Sequence, residues 1–207
     1  MVRIIQKIPR WLLKKLLDKY FVRNILPCLL LKQTGSWGGY RNKLGKWGEN
    51  VRIGVLTQVN NPQNMFFEGH NFVWNYCILD AVSDKIYIGA NTQIGAYVEI
   101  FTHNTHISVR LAKEQSKKGL GYQYGPVKIG RNCFISSGAK ILHGVTIGDN
   151  VIVGVNSVVN RVIPDFSIVA GVPAKKIGDT RALDKSYLHE GFNSDWREKY
   201  GDYYRGY

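Results

Sequence analysis

The stretch that decides the fold reads Val127-Lys-Ile-Gly-Arg-Asn-Cys-Phe-Ile-Ser-Ser-Gly-Ala-Lys-Ile-Leu-His-Gly-Val-Thr-Ile-Gly-Asp-Asn-Val-Ile-Val-Gly-Val-Asn-Ser-Val-Val159. Aliphatic residues recur without a miss at positions 129, 135, 141, 147, 153 and 159. A period of six matches neither the roughly 3.6 residues of an α-helical turn nor the alternation of a half-buried strand. It fits short strands joined by tight turns, each pointing an aliphatic side chain inward. The repeat therefore predicts an all-β fold, a parallel β-helix whose stacked coils share one core.

The repeat also sets the expected domain boundaries. Weaker copies precede the strongest stretch, and they are Ile53-Gly, Phe67-Glu-Gly, Ile88-Gly, Ile94-Gly and Ile100. We therefore expect the β-helix domain to span residues 51–178, with residues 1–50 before it and a short C-terminal extension over residues 179–207. Residues 107–126 interrupt the repeat, and a loop of that length inside a compact domain is usually functional.

Positive charge is concentrated in the N-terminal segment. Residues 1–50 contain 11 Lys and Arg against 2 Asp and Glu, and the formal net charge of the whole chain is +13. Within residues 8–21, leucines and aromatic residues fall on one helical face and lysines on the other. Such a helix suits a peripheral contact with a membrane surface, and it equally suits packing over the core or on a partner subunit.

The composition predicts a cytoplasmic protein. No apolar run reaches the roughly 18–20 residues that span a bilayer, and the start lacks the cleavage site of a signal peptide. The three cysteines, Cys28, Cys77 and Cys133, are odd in number and widely spaced, which indicates neither a disulfide framework nor a CxxC metal site. The repeat region is only mildly basic and has no recognition motif, so we expect no nucleic-acid partner.

Two segments carry a family resemblance. They are Ile147-Gly-Asp-Asn-Val151 and the close of the repeat, Ile163-Pro-Asp165 with Ala170-Gly-Val-Pro-Ala-Lys175. They resemble the hexapeptide-repeat acyltransferases, in particular the maltose, galactoside and polysaccharide O-acetyltransferases. The resemblance implies a left-handed β-helix with three hexapeptides per coil, a homotrimer, and active sites in the clefts between subunits. It also implies acetyl-CoA as co-substrate, no required metal, and a sugar hydroxyl in a cell-surface polysaccharide precursor as acceptor.

The break in the repeat contains the candidate general base. Transfer from a thioester to a hydroxyl needs such a base, because a protonated alcohol is a poor nucleophile. Two of the five histidines, His103 and His106, lie in Thr102-His-Asn-Thr-His106, and the family places its catalytic histidine at such a break. His103 keeps the family's seven-residue spacing to an arginine, here Arg110, whereas counting coil residues points nearer to His106. Both are candidates, with His103 slightly favoured.

Further site residues follow from the resemblance. In Asn75-Tyr-Cys-Ile-Leu-Asp80, Asn75 and Asp80 match a family segment that binds the acceptor, and Asp84 is a substitute for Asp80. Arg110 is a candidate contact to an anionic acceptor or to CoA, in a loop that resembles the one closing the cleft on a neighbouring subunit. The candidate CoA-binding residues are Ser137, Val155, Asn160, Arg161 and Lys175.

Three alternative functions are open at this point. The acceptor group could be the amine of an amino sugar. Zinc-dependent carbonic anhydrases share the fold and need three imidazoles around a metal, which His70, His103 and His106 would have to supply. A non-catalytic scaffold held at a membrane surface by the N-terminal helix is the third. The close of the repeat, which resembles CoA enzymes, favours the acetyltransferase.

Overall fold

The computed structural model describes residues 46–112 and 119–189, and successive strands pass in turn to three parallel sheets, named A, B and C. Sheet A consists of β1 (Lys46–Trp47), β4 (Met65–Phe67), β7 (Ile86–Ile88), β12 (Val127–Ile129) and β15 (Thr146–Ile147). The parallel strands of sheet B are β2 (Arg52–Ile53), β5 (Phe72–Val73), β8 (Gln93–Ile94), β13 (Phe134–Ile135), β16 (Ile152–Val153) and β18 (Ser167–Ala170). Sheet C consists of β3 (Gln58–Asn60), β6 (Ile78–Asp80), β9 (Glu99–Phe101), β14 (Lys140–Ile141) and β17 (Val158–Val159).

The remaining elements lie outside these parallel coils. They are a 3₁₀ turn at Pro62–Asn64, β10 (His103–Asn104), a π-helical turn at Ser108–Ala112, β11 (Gln123–Tyr124), β19 (Lys175–Asp179) and α1 (Thr180–His189). Strands β10 and β11 pair antiparallel with each other, and β19 pairs antiparallel with β18. The predicted parallel β-helix is therefore confirmed, with an excursion between β9 and β12.

The predicted aliphatic ladder forms the core. None of the six residues at the predicted positions is more than 3% exposed. They stack in register from coil to coil, as in the pairs Ile129 with Ile147 and Ile141 with Val159. Burying such a side chain contributes about 1.5–3 kcal/mol. The six-residue period is therefore fixed by the core of the fold.

Each coil turns at three corners, which we name after the sheets that they join. In the coil formed by β12, β13 and β14, residues 130–133 are the AB corner, residues 136–139 the BC corner and residues 142–145 the CA corner. Within a coil, every side chain that is neither in the core nor on the outer face of a sheet belongs to one of these corners. The corners are thus the places where the fold can present functional groups.

The AB and BC corners each require a residue with left-handed backbone. At the AB corner this residue is asparagine in four coils, and asparagine tolerates the conformation; these residues are Asn50, Asn91, Asn132 and Asn150. At the BC corner of the first three coils it is a bulky residue instead, Leu56, Tyr76 and Tyr97 with φ of 58°, 62° and 60°. The left-handed conformation costs such residues roughly 1–2 kcal/mol each, so these three positions are strained.

The observed boundaries differ from those predicted. The first strand, β1, starts at Lys46 and pairs in parallel with β4, so the β-helix begins inside the segment predicted as residues 1–50. At the other end the parallel coils stop at β18, because β19 reverses direction within the predicted domain 51–178. The helix predicted for residues 8–21 lies outside the described residues. Within the part of the chain that is described, no helix is both long and apolar enough to cross a membrane.

Replacing a core residue tests this account of the fold. Ile141 is fully buried, so we expect Ile141→Ala to lower the free energy of unfolding by about 2–5 kcal/mol. The matched control is Ile177→Ala, because Ile177 is 68% exposed in β19 and its truncation leaves no core cavity. Urea denaturation measures both variants. Equal losses in the two variants would contradict the assignment of Ile141 to the core.

Candidate active site

The β-helix breaks at the CA corner that follows β9. The first two coils above the break pair with an offset of 18 residues, as Asn132 with Asn150, whereas across the break the offset is 41, as Thr92 with Cys133. Three hexapeptides per coil give the offset of 18 residues. The residues of the excursion account for the larger offset of 41. It starts at Thr102, earlier than the predicted residue 107, and it is ordered at its base by the pairing of β10 with β11.

Thr102 anchors the start of the excursion. Its buried hydroxyl donates to the carbonyl oxygen of Asp80 at 2.9 Å and accepts the backbone N–H groups of Ser83 and Asp84, each at 3.3 Å. The carbonyl oxygen of Thr102 accepts the N–H of Gly125 at 3.0 Å, where the excursion returns. The residue that follows, His103, is therefore held over the end of β6.

The structure brings His103 and Asp80 together. Nδ1 of His103 lies 3.4 Å from Oδ2 of Asp80, whose side chain is only 10% exposed, whereas that of His103 is 32% exposed. This separation is long for a hydrogen bond, and Nδ1 has no other partner among the described residues. Catalytic hydrogen bonds are often long before substrate binds. The pair can thus orient the imidazole, with Nδ1 toward the carboxylate and Nε2 free for a substrate.

Asn60 supports the carboxylate from the coil below. It pairs with Asp80 in register, and its Nδ2 donates to Oδ1 of Asp80 at 3.3 Å. Its own Oδ1 accepts a hydrogen bond from Nε2 of Gln58 at 3.0 Å. Sequence reasoning missed Asn60. The signal was its position 20 residues before Asp80, at the same point of the preceding coil.

The second candidate histidine has a different environment. The side chain of His106 is exposed, and its backbone N–H donates to Oδ1 of Asn104 at 2.9 Å in a local turn. Arg110 is also exposed, on the π-helical turn that follows. The geometry thus distinguishes the two histidines, because only the ring of His103 lies against a buried carboxylate.

The two acceptor candidates other than Asp80 lie at different corners. Asp84 is at the CA corner one coil below that of His103, and its Oδ1 accepts the N–H of Lys85 at 2.7 Å. Asn75 is at the BC corner of its coil, where its Oδ1 lies so close to Gly54 that a Cβ there would clash. In one chain the structure therefore brings Asp80 and Asp84 together with His103, but not Asn75.

The predicted CoA-binding residues are also divided between corners. Ser137 and Val155 are exposed at the BC corners of consecutive coils. Asn160 and Arg161 are exposed at the CA corner after β17, and Lys175 is exposed at the start of β19. The BC and CA corners are the two edges of sheet C. A single chain thus presents Ser137 and Val155 at one edge of this sheet and His103 with Asp80 at the other.

The AB corner, which is remote from His103 in the coil, contains charged groups and a groove. Phe66 and Tyr87 stack at 4.9 Å beside the ion pair of Arg131 Nε with Glu68 Oε2 at 2.6 Å, and they line a groove of about 350 Å³. The hydrogen bond from Arg131 holds the pKa of Glu68 below its usual value. His70 is at this corner as well, with Nδ1 3.3 Å from Nδ2 of Asn50.

The three imidazoles considered for a zinc site are not brought together in the described part of the chain. His70 lies at the AB corner and His103 at the CA corner. Among the described residues no group of three or more His, Cys, Asp or Glu side chains is placed to hold a metal ion. The two described cysteines, Cys77 and Cys133, are buried, and burial raises the pKa of both thiols. Their environment is that of core residues.

Comparison with known proteins shows the family. A family model described as bacterial transferase hexapeptide (six repeats) matches residues 126–161. The galactoside O-acetyltransferase of Escherichia coli K12 is 33% identical over 147 residues, which cover 70% of this chain and 68% of that protein. WbbJ of the same strain, a candidate lipopolysaccharide-biosynthesis O-acetyltransferase, is 30% identical over 185 residues, covering 84% of this chain and 86% of that protein. A solved galactoside acetyltransferase in complex with coenzyme A matches with a TM-score of 0.56 at 28% identity, covering 67% of this chain and 66% of that one.

The chain therefore belongs to the hexapeptide-repeat acyltransferase family. Within this family it is an acetyltransferase of the branch that includes the galactoside O-acetyltransferases. The predicted family and the predicted left-handed β-helix are both confirmed.

Removing the support of Asp80 tests the described hydrogen bonds. Asn60→Ala leaves a buried carboxylate without one of its donors, so we expect the free energy of unfolding to fall by about 1–3 kcal/mol. Gln58→Ala is the control, because Gln58 is exposed and donates to Asn60 rather than to Asp80. Its effect should stay within about 0.5 kcal/mol. If chemical denaturation finds equal losses for the two variants, Asn60 does not support Asp80.

Proposed function

We propose that this acetyltransferase moves the acetyl group of acetyl-CoA to a hydroxyl of a sugar, in the precursor of a cell-surface polysaccharide. The observation that carries the proposal is the contact between His103 and Asp80, at 3.4 Å, where the β-helix breaks. A histidine oriented by a carboxylate is the usual general base for activating a hydroxyl. The relatives support a sugar as acceptor, because their names include a galactoside and a lipopolysaccharide O-acetyltransferase.

In this mechanism His103 works through its Nε2 atom. With Nδ1–H directed to Asp80, Nε2 has a free lone pair and takes the proton of the sugar hydroxyl. The hydroxyl oxygen then bonds to the thioester carbon, and the carbonyl π electrons move to oxygen. When the carbon–sulfur bond breaks, the carbonyl re-forms and sulfur takes the proton from Nε2. The products are an acetyl ester of the sugar and free CoA thiol.

The remaining candidates divide between the two substrates. A backbone amide near Ser137 stabilises the negative oxygen of the tetrahedral intermediate. The exposed Arg161 and Lys175 hold the CoA phosphates by charge. Asn75 and Asp84 donate and accept hydrogen bonds with the hydroxyls of the acceptor sugar, and Arg110 meets an anionic group on it.

A homotrimer would complete this site. Ser137 and Val155 lie at one edge of sheet C and His103 at the other edge, so one chain alone does not line a single cleft with them. If the BC corner of one subunit faces the CA corner of the next, each cleft receives both sets. Closed cyclic symmetry then gives every subunit the same pair of contacts.

The N-terminal segment indicates the cellular surface at which the enzyme binds its acceptor. Residues 8–21 have a basic amphipathic sequence, which fits a peripheral contact with the cytoplasmic face of the membrane. A polysaccharide precursor carried on a lipid is presented at the same surface. We therefore propose a cytoplasmic enzyme that works against the membrane.

The two histidines provide the direct test of the proposed base. We expect His103→Ala to lower kcat about 10²- to 10⁴-fold, because the general base is lost. His106→Ala is the matched control, since His106 is exposed a few residues further along the same excursion, and we expect it to keep kcat within about threefold. Release of CoA thiol from acetyl-CoA, measured against a panel of methyl glycosides, gives both values.

The same thiol-release assay, with amino sugars added to the panel, has two outcomes that would contradict the proposal. A His103→Ala variant as active as the wild type would remove His103 as the base. A wild-type enzyme that acetylates amino sugars only at nitrogen would replace the hydroxyl with an amine as acceptor group. Mass spectrometry before and after mild alkali separates the two products, because the ester is cleaved and the amide is not.

A further inference from the structure

Tyr97 lies between the residues proposed to bind the two substrates. At the BC corner of the third coil, its backbone N–H donates to the carbonyl oxygen of Asn75 in the coil below, at 3.2 Å. In the coil above, the N–H of Gly138 donates to the carbonyl oxygen of Ala96 at 2.8 Å, and Ser137 precedes Gly138. Tyr97 is thus one coil from the acceptor candidate Asn75 and one coil from the CoA candidate Ser137.

The ring of Tyr97 has one covered face and one open face. It stacks on the ring of Tyr76 below, with centroids 5.1 Å apart and planes 8° apart, and the residue is 59% exposed. At the same corner one coil higher stands Gly138, which has no side chain to cover the other face. The side chain of Asn156, a further coil up, reaches so close to Gly138 that a Cβ there would clash with it. The amide of Asn156 therefore lies where a side chain of Gly138 would be, one coil above Tyr97.

The backbone at this corner also accepts a smaller residue than tyrosine. Tyr97 has a φ of 60° and Tyr76 a φ of 62°, a conformation that bulky residues rarely adopt. The AB corner uses asparagine for the same backbone in four coils, so the fold does not require an aromatic residue there. Asn156 has the same backbone at the BC corner itself, with a φ of 54°, so the two tyrosines occupy positions where the backbone favours asparagine.

We infer that Tyr97 is the stacking platform for the sugar ring of the acceptor and a specificity-determining residue of the enzyme. One face of a pyranose presents C–H groups, which the negative face of an aromatic ring attracts. Tyr76 supports the platform from below, and the amide of Asn156 is placed to meet a sugar hydroxyl. This inference rests on the proposed function, because it takes the acceptor to be a sugar.

Tyr97→Asn separates a binding role from a structural one. Asparagine suits the left-handed backbone, so we expect the variant to fold with a Tm no lower than that of the wild type. We expect its KM for the best methyl glycoside to rise at least about tenfold, while its KM for acetyl-CoA stays within about twofold. Tyr97→Phe retains the ring, and its KM for the glycoside should stay close to the wild-type value.

Leu56→Asn is the matched control. Leu56 occupies the same position two coils below with the same strained backbone, and this substitution leaves both tyrosines in place. Its KM for the glycoside should not change. Sedimentation velocity of all variants at the assay concentration should show the same oligomeric state.

Several outcomes would overturn the inference. An unchanged KM for the glycoside in Tyr97→Asn would show that Tyr97 does not bind the sugar. A raised KM for acetyl-CoA alone would show that Tyr97 binds the donor instead. A lower Tm or a changed oligomeric state in Tyr97→Asn would show that the ring has a structural role. If the wild type releases no CoA thiol with any sugar, the proposed function itself fails and this inference falls with it, a result seen before any variant is compared.

Discussion

The aliphatic ladder is the constraint on which the rest of this protein depends. One side chain in every six must point into the core and stack on its counterpart in the next coil, as Ile141 stacks on Val159 and Ile100. Each buried residue adds about 1.5–3 kcal/mol, and the coils share these contacts along the whole β-helix. The chain is therefore left with three kinds of position, the core, the outer face of a sheet, and a corner.

In such a fold the corners are the places where functional groups can be presented. An insertion at a corner leaves the ladder intact, because the strands on either side of it still pair in register. The excursion after β9 is such an insertion, and the strand that follows it, β12, returns to pair with β7. The hydroxyl of Thr102 ties the point of departure to Asp80. His103 can thus face a buried carboxylate in a coil that is otherwise regular, and the polar chain through Asn60 continues that support into the coil below.

The sequence predicts some of these features better than others, for physical reasons. The aliphatic ladder can be recognised in the sequence because burial imposes a six-residue period. The break can be recognised because that period stops there. The choice between His103 and His106 depends on which ring reaches Asp80, a residue in another coil, so local spacing did not decide it. The early start at Lys46 was missed because β1 is short and has the aromatic Trp47 at the position where β7, β12 and β15 have an isoleucine. The stacked rings of Tyr76 and Tyr97 depend on contacts between coils, which no motif records.

The central claim is that acetyl transfer needs the CA corner of one chain and the BC corner of another. Its most direct test mixes two variants, His103→Ala and Val155→Trp, where Val155 is 65% exposed at the BC corner and a tryptophan there is expected to block CoA. Each variant alone should be inactive. After joint refolding at equal amounts, about a quarter of the clefts combine two intact corners, so the account predicts about a quarter of wild-type activity. Activity no greater than the sum of the two separate variants would contradict a site shared between chains.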